Sequence, residues 1–183
     1  EGVLLSRQRL AQSIALVRVT ESQEPLDPRM AFKCAPPPES RRFILPGGVP
    51  LEMVGIGSGS FVMGTPKPID DLPFDHDVGH KVTLTDSFWI GRFELTQGQY
   101  EAIVGSPRYA DDVRQSMRGA RLPVFDLAWQ EAKSLTERLN ELLGDELPPG
   151  YHFDLPTEAQ WEYACRAGTV ESFNWGGNPR LTE

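Results

Sequence analysis

Glycine and proline punctuate this chain so densely that only short regular elements have room to form. Seventeen glycines and sixteen prolines are spread through 183 residues. Proline blocks helix interiors and glycine favours turns and stops, so a loop-rich, irregular architecture is expected rather than a helical bundle. Regular structure must therefore be signalled locally, and three helices are. In "LPTEAQWEYACRAG", residues 155–168, Pro156 leads into Thr157, whose hydroxyl can cap a first-turn amide, and Gln160 completes the capping box. Trp161, Ala164 and Cys165 share an apolar face, Arg166 meets the negative end of the dipole, and Gly168 suits a left-handed stop. Thr96 and Gln99 repeat the box ahead of a short helix that Gly105 ends. In "DLAWQEAKSLTERLNELLG", Ala132, Leu135, Leu139 and Leu142 form an apolar stripe, while Glu131, Lys133, Glu137 and Arg138 face water. Asp126 is the expected cap of this helix and Gly144 its stop.

Strands are read from alternation and β-branched content at Leu51–Ile56, Ser60–Gly64, Lys81–Thr85 and Phe88–Phe93. "GIGSGS" between the first two lacks the Lys-Ser/Thr ending of a phosphate loop, so a hairpin turn is expected. Nearer the N-terminus, Leu10, Ile14 and Val17 fit a short amphipathic helix, but an edge strand near Ile14–Val19 fits equally. "PPP" at 36–38 reads as an extended spacer. Trp129, Trp161, Leu135 and Leu139 are the expected core, with the long helix beside the Thr157 helix and Cys165 buried between apolar neighbours.

The net charge of −8 argues against nucleic acid or an anionic membrane as partner, since both need clustered cations. No apolar run reaches the length of a membrane span, and no signal segment is visible, so the compartment stays open. The chain opens on Glu-Gly and closes on "NPRLTE" without a closing element, so a fragment of a longer protein is expected.

Taken in order, "GSFVMG", "HKVTLTDSFWIGRFELTQGQY", "LPVFDLAWQEAKSLTERLN", "LPTEAQWEYACRAG" and "WGGN" resemble the motif series of the formylglycine-generating enzyme (sulfatase-modifying factor) family. The resemblance runs from Met53 to Asn178. It implies an α+β, irregular C-type-lectin-like fold, incomplete at the C-terminus. It also divides the chain into an N-terminal arm or linker, residues 1–42, and the N-terminal part of a sulfatase-modifying-factor-type domain, residues 43–183. Family enzymes, many with bacterial relatives, oxidise a cysteine of a sulfatase peptide to formylglycine with oxygen and copper(I). Two soft thiolates hold the copper, and structural calcium is a further cofactor implied for a full-length parent. The family's copper cysteines lie past the "WGG" region. Cys34 precedes the family region and Cys165 falls within a helix motif, so the resemblance assigns no catalytic, cofactor-binding or metal residue here. This chain alone is expected to be inactive. Asp154 stands where the family usually carries Arg, so a structural ion pair is expected to be lost or inverted. "GSPRYADDVRQSMRGARLP" is short where the classical enzymes carry a long insertion that walls the peptide groove.

Other chemistry reads as weaker. His76 and His80, with Asp70, Asp71, Asp75 and Asp77, are ligand types for zinc or calcium. Pro73 and Gly79 nevertheless make this a loop, where four-residue spacing does not converge two side chains, and a solvated loop is the plainer reading. Asp111–Asp112 reads as surface. Glu158 and Glu162 share a helix face, but Glu158 is better placed to favour the helix N-terminus than to do acid–base work. Two function classes remain. One is an oxygen-dependent oxidoreductase of the formylglycine-generating type, acting on a protein or peptide. The other is a non-catalytic module that binds an unknown ligand on the same scaffold.

Overall fold

Short apolar runs bounded by turn residues assemble a five-stranded sheet in the computed structural model, which describes residues 13–18, 36–64, 79–109 and 115–169. Its strands are β1 (Ala15–Arg18), β2 (Arg41–Leu45), β3 (Val49–Ile56), β6 (Phe88–Gly91) and β7 (Tyr151–Asp154). They lie in the order β2-β3-β6-β1-β7, and every pair is antiparallel. Two further strands, β4 (Gly59–Met63) and β5 (His80–Leu84), form a separate ribbon. Mixed strands and isolated helices give the expected α+β architecture.

Of the two readings of the N-terminal segment, the described residues 13–18 take the strand, though not at an edge; Leu10 lies outside the described residues. β1 lies inside the sheet, with Leu16 opposite Trp89 on one side and Phe153 on the other. Ile14, Ala15 and Leu16 are buried, as a strand covered on both faces requires. Residues expected in an arm thus supply an inner strand. The hairpin expectation at "GIGSGS" also fails, because β3 pairs with β2 and β6 whereas β4 pairs with β5. Both sides of β3 are already taken, so the turn passes the chain from one sheet to the other. Its flanking glycines serve close approach: a Cβ on Gly55 would fall 1.8 Å from the Pro38 carbonyl oxygen.

One face of the sheet packs beneath helices α1 (Gln97–Val104) and α2 (Trp129–Leu143). Phe43, Leu51, Met53, Leu16 and Phe153 meet Ile103, Ala132, Leu135 and Leu139 in one cluster. The Phe43 and Phe153 rings contact edge to face at 5.4 Å. Leu135 and Leu139 therefore hold the expected core positions, but Trp129 does not, being 57% exposed. Helical side chains lean toward the N-terminus, so a residue at the first helical position projects ahead of the core.

Both sequence-predicted capping boxes form. The Thr96 hydroxyl accepts from Gln99 N–H at 3.2 Å and Thr157 from Gln160 at the same distance, and each Gln returns to its cap's amide. Gly105 ends α1 at φ 84°. Asp126 is not the cap of α2. It sits at φ 54°, and the cap is Ala128, whose N–H donates to Glu131 at 2.9 Å. Gly144 does follow the last residue of α2, in right-handed geometry leading into a 3-10 turn.

Helix α3 (Glu158–Arg166) packs on β4 and β5, while α2 packs on β7 and α1. The expected pairing of the two helices is replaced by this arrangement. Contact with the ribbon runs through the face that bears Glu162, Tyr163 and Arg166: Tyr163 meets Phe61 at 5.2 Å, and Arg166 donates to the Gly64 carbonyl at 2.6 Å. Trp161 and Ala164 are consequently half-buried and Cys165 is exposed, contrary to the buried reading. A two-stranded ribbon is too narrow to cover both faces of the helix. Ala167, at φ 47°, takes the left-handed cap one residue before Gly168.

The start of α2 is fixed by Arg108, which grips Glu131 with two bonds of 2.9 and 3.1 Å and also donates to the carbonyls of Phe125 and Asp126. Tyr109 stacks on Phe125 at 4.1 Å and pairs with its backbone through the phenol.

Two outcomes follow from this packing. Leu139→Ala should cost about 2–5 kcal/mol in urea denaturation, whereas Trp129→Ala should stay within about 0.5 kcal/mol. The second concerns acid. Arg108, with the Ala128 amide second, holds the Glu131 carboxyl below the usual carboxylate range. A depressed folded value means that the stabilisation is complete above the ordinary carboxylate pKa and is lost as pH falls through the folded one. Melting temperatures taken from neutral pH to roughly pH 3 should fall less steeply in Glu131→Gln than in the native chain.

Candidate binding groove

β3 is longer than its neighbour β6, which pairs only with Met53–Ile56. The half that β6 leaves without a partner on this side, Val49–Glu52, floors a groove of about 570 Å³. One wall is Phe93 and Glu94; the other is the first turn of α1 with Ala120, Arg121 and Pro123. Backbone groups along the floor are satisfied from the walls. The Pro50 carbonyl accepts from Gln99 Nε2 at 2.8 Å, and the Glu52 carbonyl from Arg92 N–H at 2.9 Å. Gln99 thus caps α1 with its oxygen and ties the helix to β3 with its nitrogen.

The far wall is pressed tight. Gly98 N–H donates to the Ala120 carbonyl at 3.0 Å, and a Cβ on Gly98 would approach that oxygen to 2.9 Å. Gln97 N–H donates to Leu122 at 2.8 Å, and Val124 N–H to Leu95 at the same distance. This ladder fixes the loop before Pro123 against the start of α1. On the near wall Phe93 is 71% exposed, with the Arg92 guanidinium 5.6 Å from its ring centre. Arg92 also reaches Glu52 at 3.4 Å, an exposed pair worth little stability. Among the described residues the groove offers an apolar trough, an exposed aromatic and a few charges, with no thiol, histidine or serine on its walls.

Of the residues weighed for chemistry from sequence, the described ones do not line this groove. Cys34, His76, Asp70, Asp71, Asp75, Asp77 and Asp111–Asp112 lie outside the described residues. His80 is exposed on β5, and Glu158 is exposed in the first turn of α3. Glu162 is committed to structure, pairing with Arg166 at 2.6 Å and accepting from Gly64 N–H at 2.9 Å. Asp154 carries an ion pair of its own, with Lys133 Nζ at 2.6 Å. No group of three or more His, Cys, Asp or Glu side chains converges among the described residues. Phe93 and Gln99 were missed as site residues. The Thr96 capping box placed Gln99 on the first turn of α1, but nothing local shows that β6 stops short of β3.

Comparison with known proteins bears on this fold. The sequence model of the sulfatase-modifying factor enzyme 1-like domain matches residues 48–183. The formylglycine-generating enzyme of Bos taurus is 26% identical, the match covering 72% of this chain and 45% of that protein. Its Mus musculus counterpart is 25% identical, with 68% and 42% covered. Among solved structures, PvdO from Pseudomonas aeruginosa superposes with a TM-score of 0.55 at 26% identity, over 70% of this chain and 52% of PvdO. The chain therefore spans about half the length of these relatives. Since the family's sequence model covers well over half of its residues, the chain belongs to the sulfatase-modifying factor enzyme 1-like domain family.

Proposed function

We propose that residues 43–183, completed by the upstream strand Ala15–Arg18 and the start of β2, form the N-terminal part of a formylglycine-generating-type domain whose groove beside β3 holds a segment of a protein or peptide substrate. The reacting thiolates, and the copper they hold, lie outside this chain. The observation that carries this reading is the groove of about 570 Å³ with Phe93 standing exposed at its rim. A volume in this range suits the side chains of a short extended segment, and exposed aromatics are the usual anchors of such contacts. Kinship with formylglycine-generating enzymes supports oxygen-dependent oxidation of a substrate cysteine as the reaction of the full-length protein. The division of labour follows from residue chemistry: the groove walls supply shape and apolar contact, and soft thiolates supplied elsewhere hold copper(I).

A cysteine peptide of the sulfatase type separates binding from chemistry. With the chain alone, the peptide should bind, Phe93→Ser should weaken that binding about fivefold or more, and no aldehyde should form with copper(I) and oxygen. Aldehyde that disappears on replacing Cys34 or Cys165 would place the thiolates inside this chain and overturn the proposal. Undiminished binding by Phe93→Ser would remove the groove from it. A full-length protein that binds the peptide without oxidising it would be a non-catalytic binding module.

A further inference from the structure

The five-stranded sheet has two outer edges, and they are finished differently. On β7 the edge is sealed by a side chain. Asn140 of α2 donates Nδ2–H to the Phe153 carbonyl at 2.9 Å, and its Oδ1 accepts from Phe153 N–H at 2.7 Å. The amide copies the hydrogen bonds of a further strand and leaves no template there.

The β2 edge has no such seal among the described residues. Its register places Ile44 opposite Pro50. Proline has no N–H, so this pair cannot exchange the two bonds of a hydrogen-bonded pair. Alternation then turns the N–H and C=O of Ile44, and likewise of Arg42, away from β3. None of these outward groups has a hydrogen-bond partner among the described residues. The side chains at the same positions are also uncovered: Arg42 is exposed and unpaired among the described residues, and Ile44 is 54% exposed. The next cation along, Arg41, is already committed, lying 5.1 Å from the ring centre of Trp89 on the opposite face.

We propose that β2 is a strand-addition site for an extended segment of a partner protein that sets a carboxylate beside Arg42 and an aliphatic side chain beside Ile44. Main-chain bonds to Arg42 and Ile44 supply the pairing, and these two side chains select the sequence. Positions two apart point to one face of a strand, so the partner's acidic and aliphatic residues are also spaced by two. A second copy of this chain fits less well. Pairing β2 with itself sets Arg42 beside Ile44 or another Arg42, with no carboxylate, and brings together two chains of net charge −8.

The test uses the whole chain and a fluorescent peptide of repeated Glu-Thr-Val-Thr, with affinity read by anisotropy and backbone protection by amide hydrogen exchange. Peptide should slow exchange at Arg42 and Ile44. Arg42→Glu should weaken binding about tenfold, and a peptide with Lys for Glu should restore it. Ile44→Pro removes an outward N–H without breaking the ladder to β3, because proline is tolerated on the open side of an edge strand, and it should abolish binding. Should that variant not fold, a peptide N-methylated at alternate amides makes the same deletion from the other side, and it should not bind. Phe93→Ser should leave the affinity unchanged, which separates this site from the groove. Undiminished binding of the N-methylated peptide would overturn the proposal. So would unchanged exchange at Arg42 and Ile44 under saturating peptide. Dimers in sedimentation that protect these amides without peptide would assign the edge to a second copy instead.

Discussion

Burial of the strand Ala15–Arg18 between β6 and β7 is the contact on which this architecture depends. Without it β7 has no partner strand, and α2, which rests on β7 and holds its outer edge through Asn140, has no floor. Leu16 alone, with no exposed surface and aromatic neighbours on both sides, contributes about 1.5–3 kcal/mol by burial. The strand comes from far upstream in the sequence, so the sheet closes only when both ends of the described chain have met. That long separation makes the fold costly to nucleate and cooperative once formed.

Local rules account for what could be read beforehand. Each capping box is written within four residues, and both appear where Thr96 and Thr157 placed them. The stripe through Leu135 and Leu139 is likewise a local pattern, and it packs inward. Failures begin where two distant segments must be compared. Helical spacing at Leu10, Ile14 and Val17 competed with a strand near Ile14–Val19, and pairing of Ala15–Arg18 on both sides decided for the strand. The Cys165 face is apolar by composition, yet a narrow ribbon lies beneath α3, and Glu162, Tyr163 and Arg166 make the contacts instead. Asp126 lost the capping role because Arg108, distant in sequence, drew Glu131 and the Asp126 carbonyl into one node. The groove was hidden for the same reason, since it exists only where β6 is shorter than β3.

Function separates along similar lines. Family membership was legible in the motif series and is carried by residues 48–183. The surfaces that this chain offers to others depend on register and strand length. Both the groove and the outer edge of β2 border the β2–β3 pair, one on each side of it. Anything that loosens the sheet would therefore blur the two together.

The most direct test of this account is a thermal melt of the chain beginning at residue 36, which keeps the whole family-matched region and lacks β1. Loss of β1 should abolish the cooperative transition and leave Phe153 and Trp89 in a solvent-exposed, rapidly exchanging sheet. A cooperative transition at the temperature of the full chain would contradict it, because the remaining strands would then close without Ala15–Arg18.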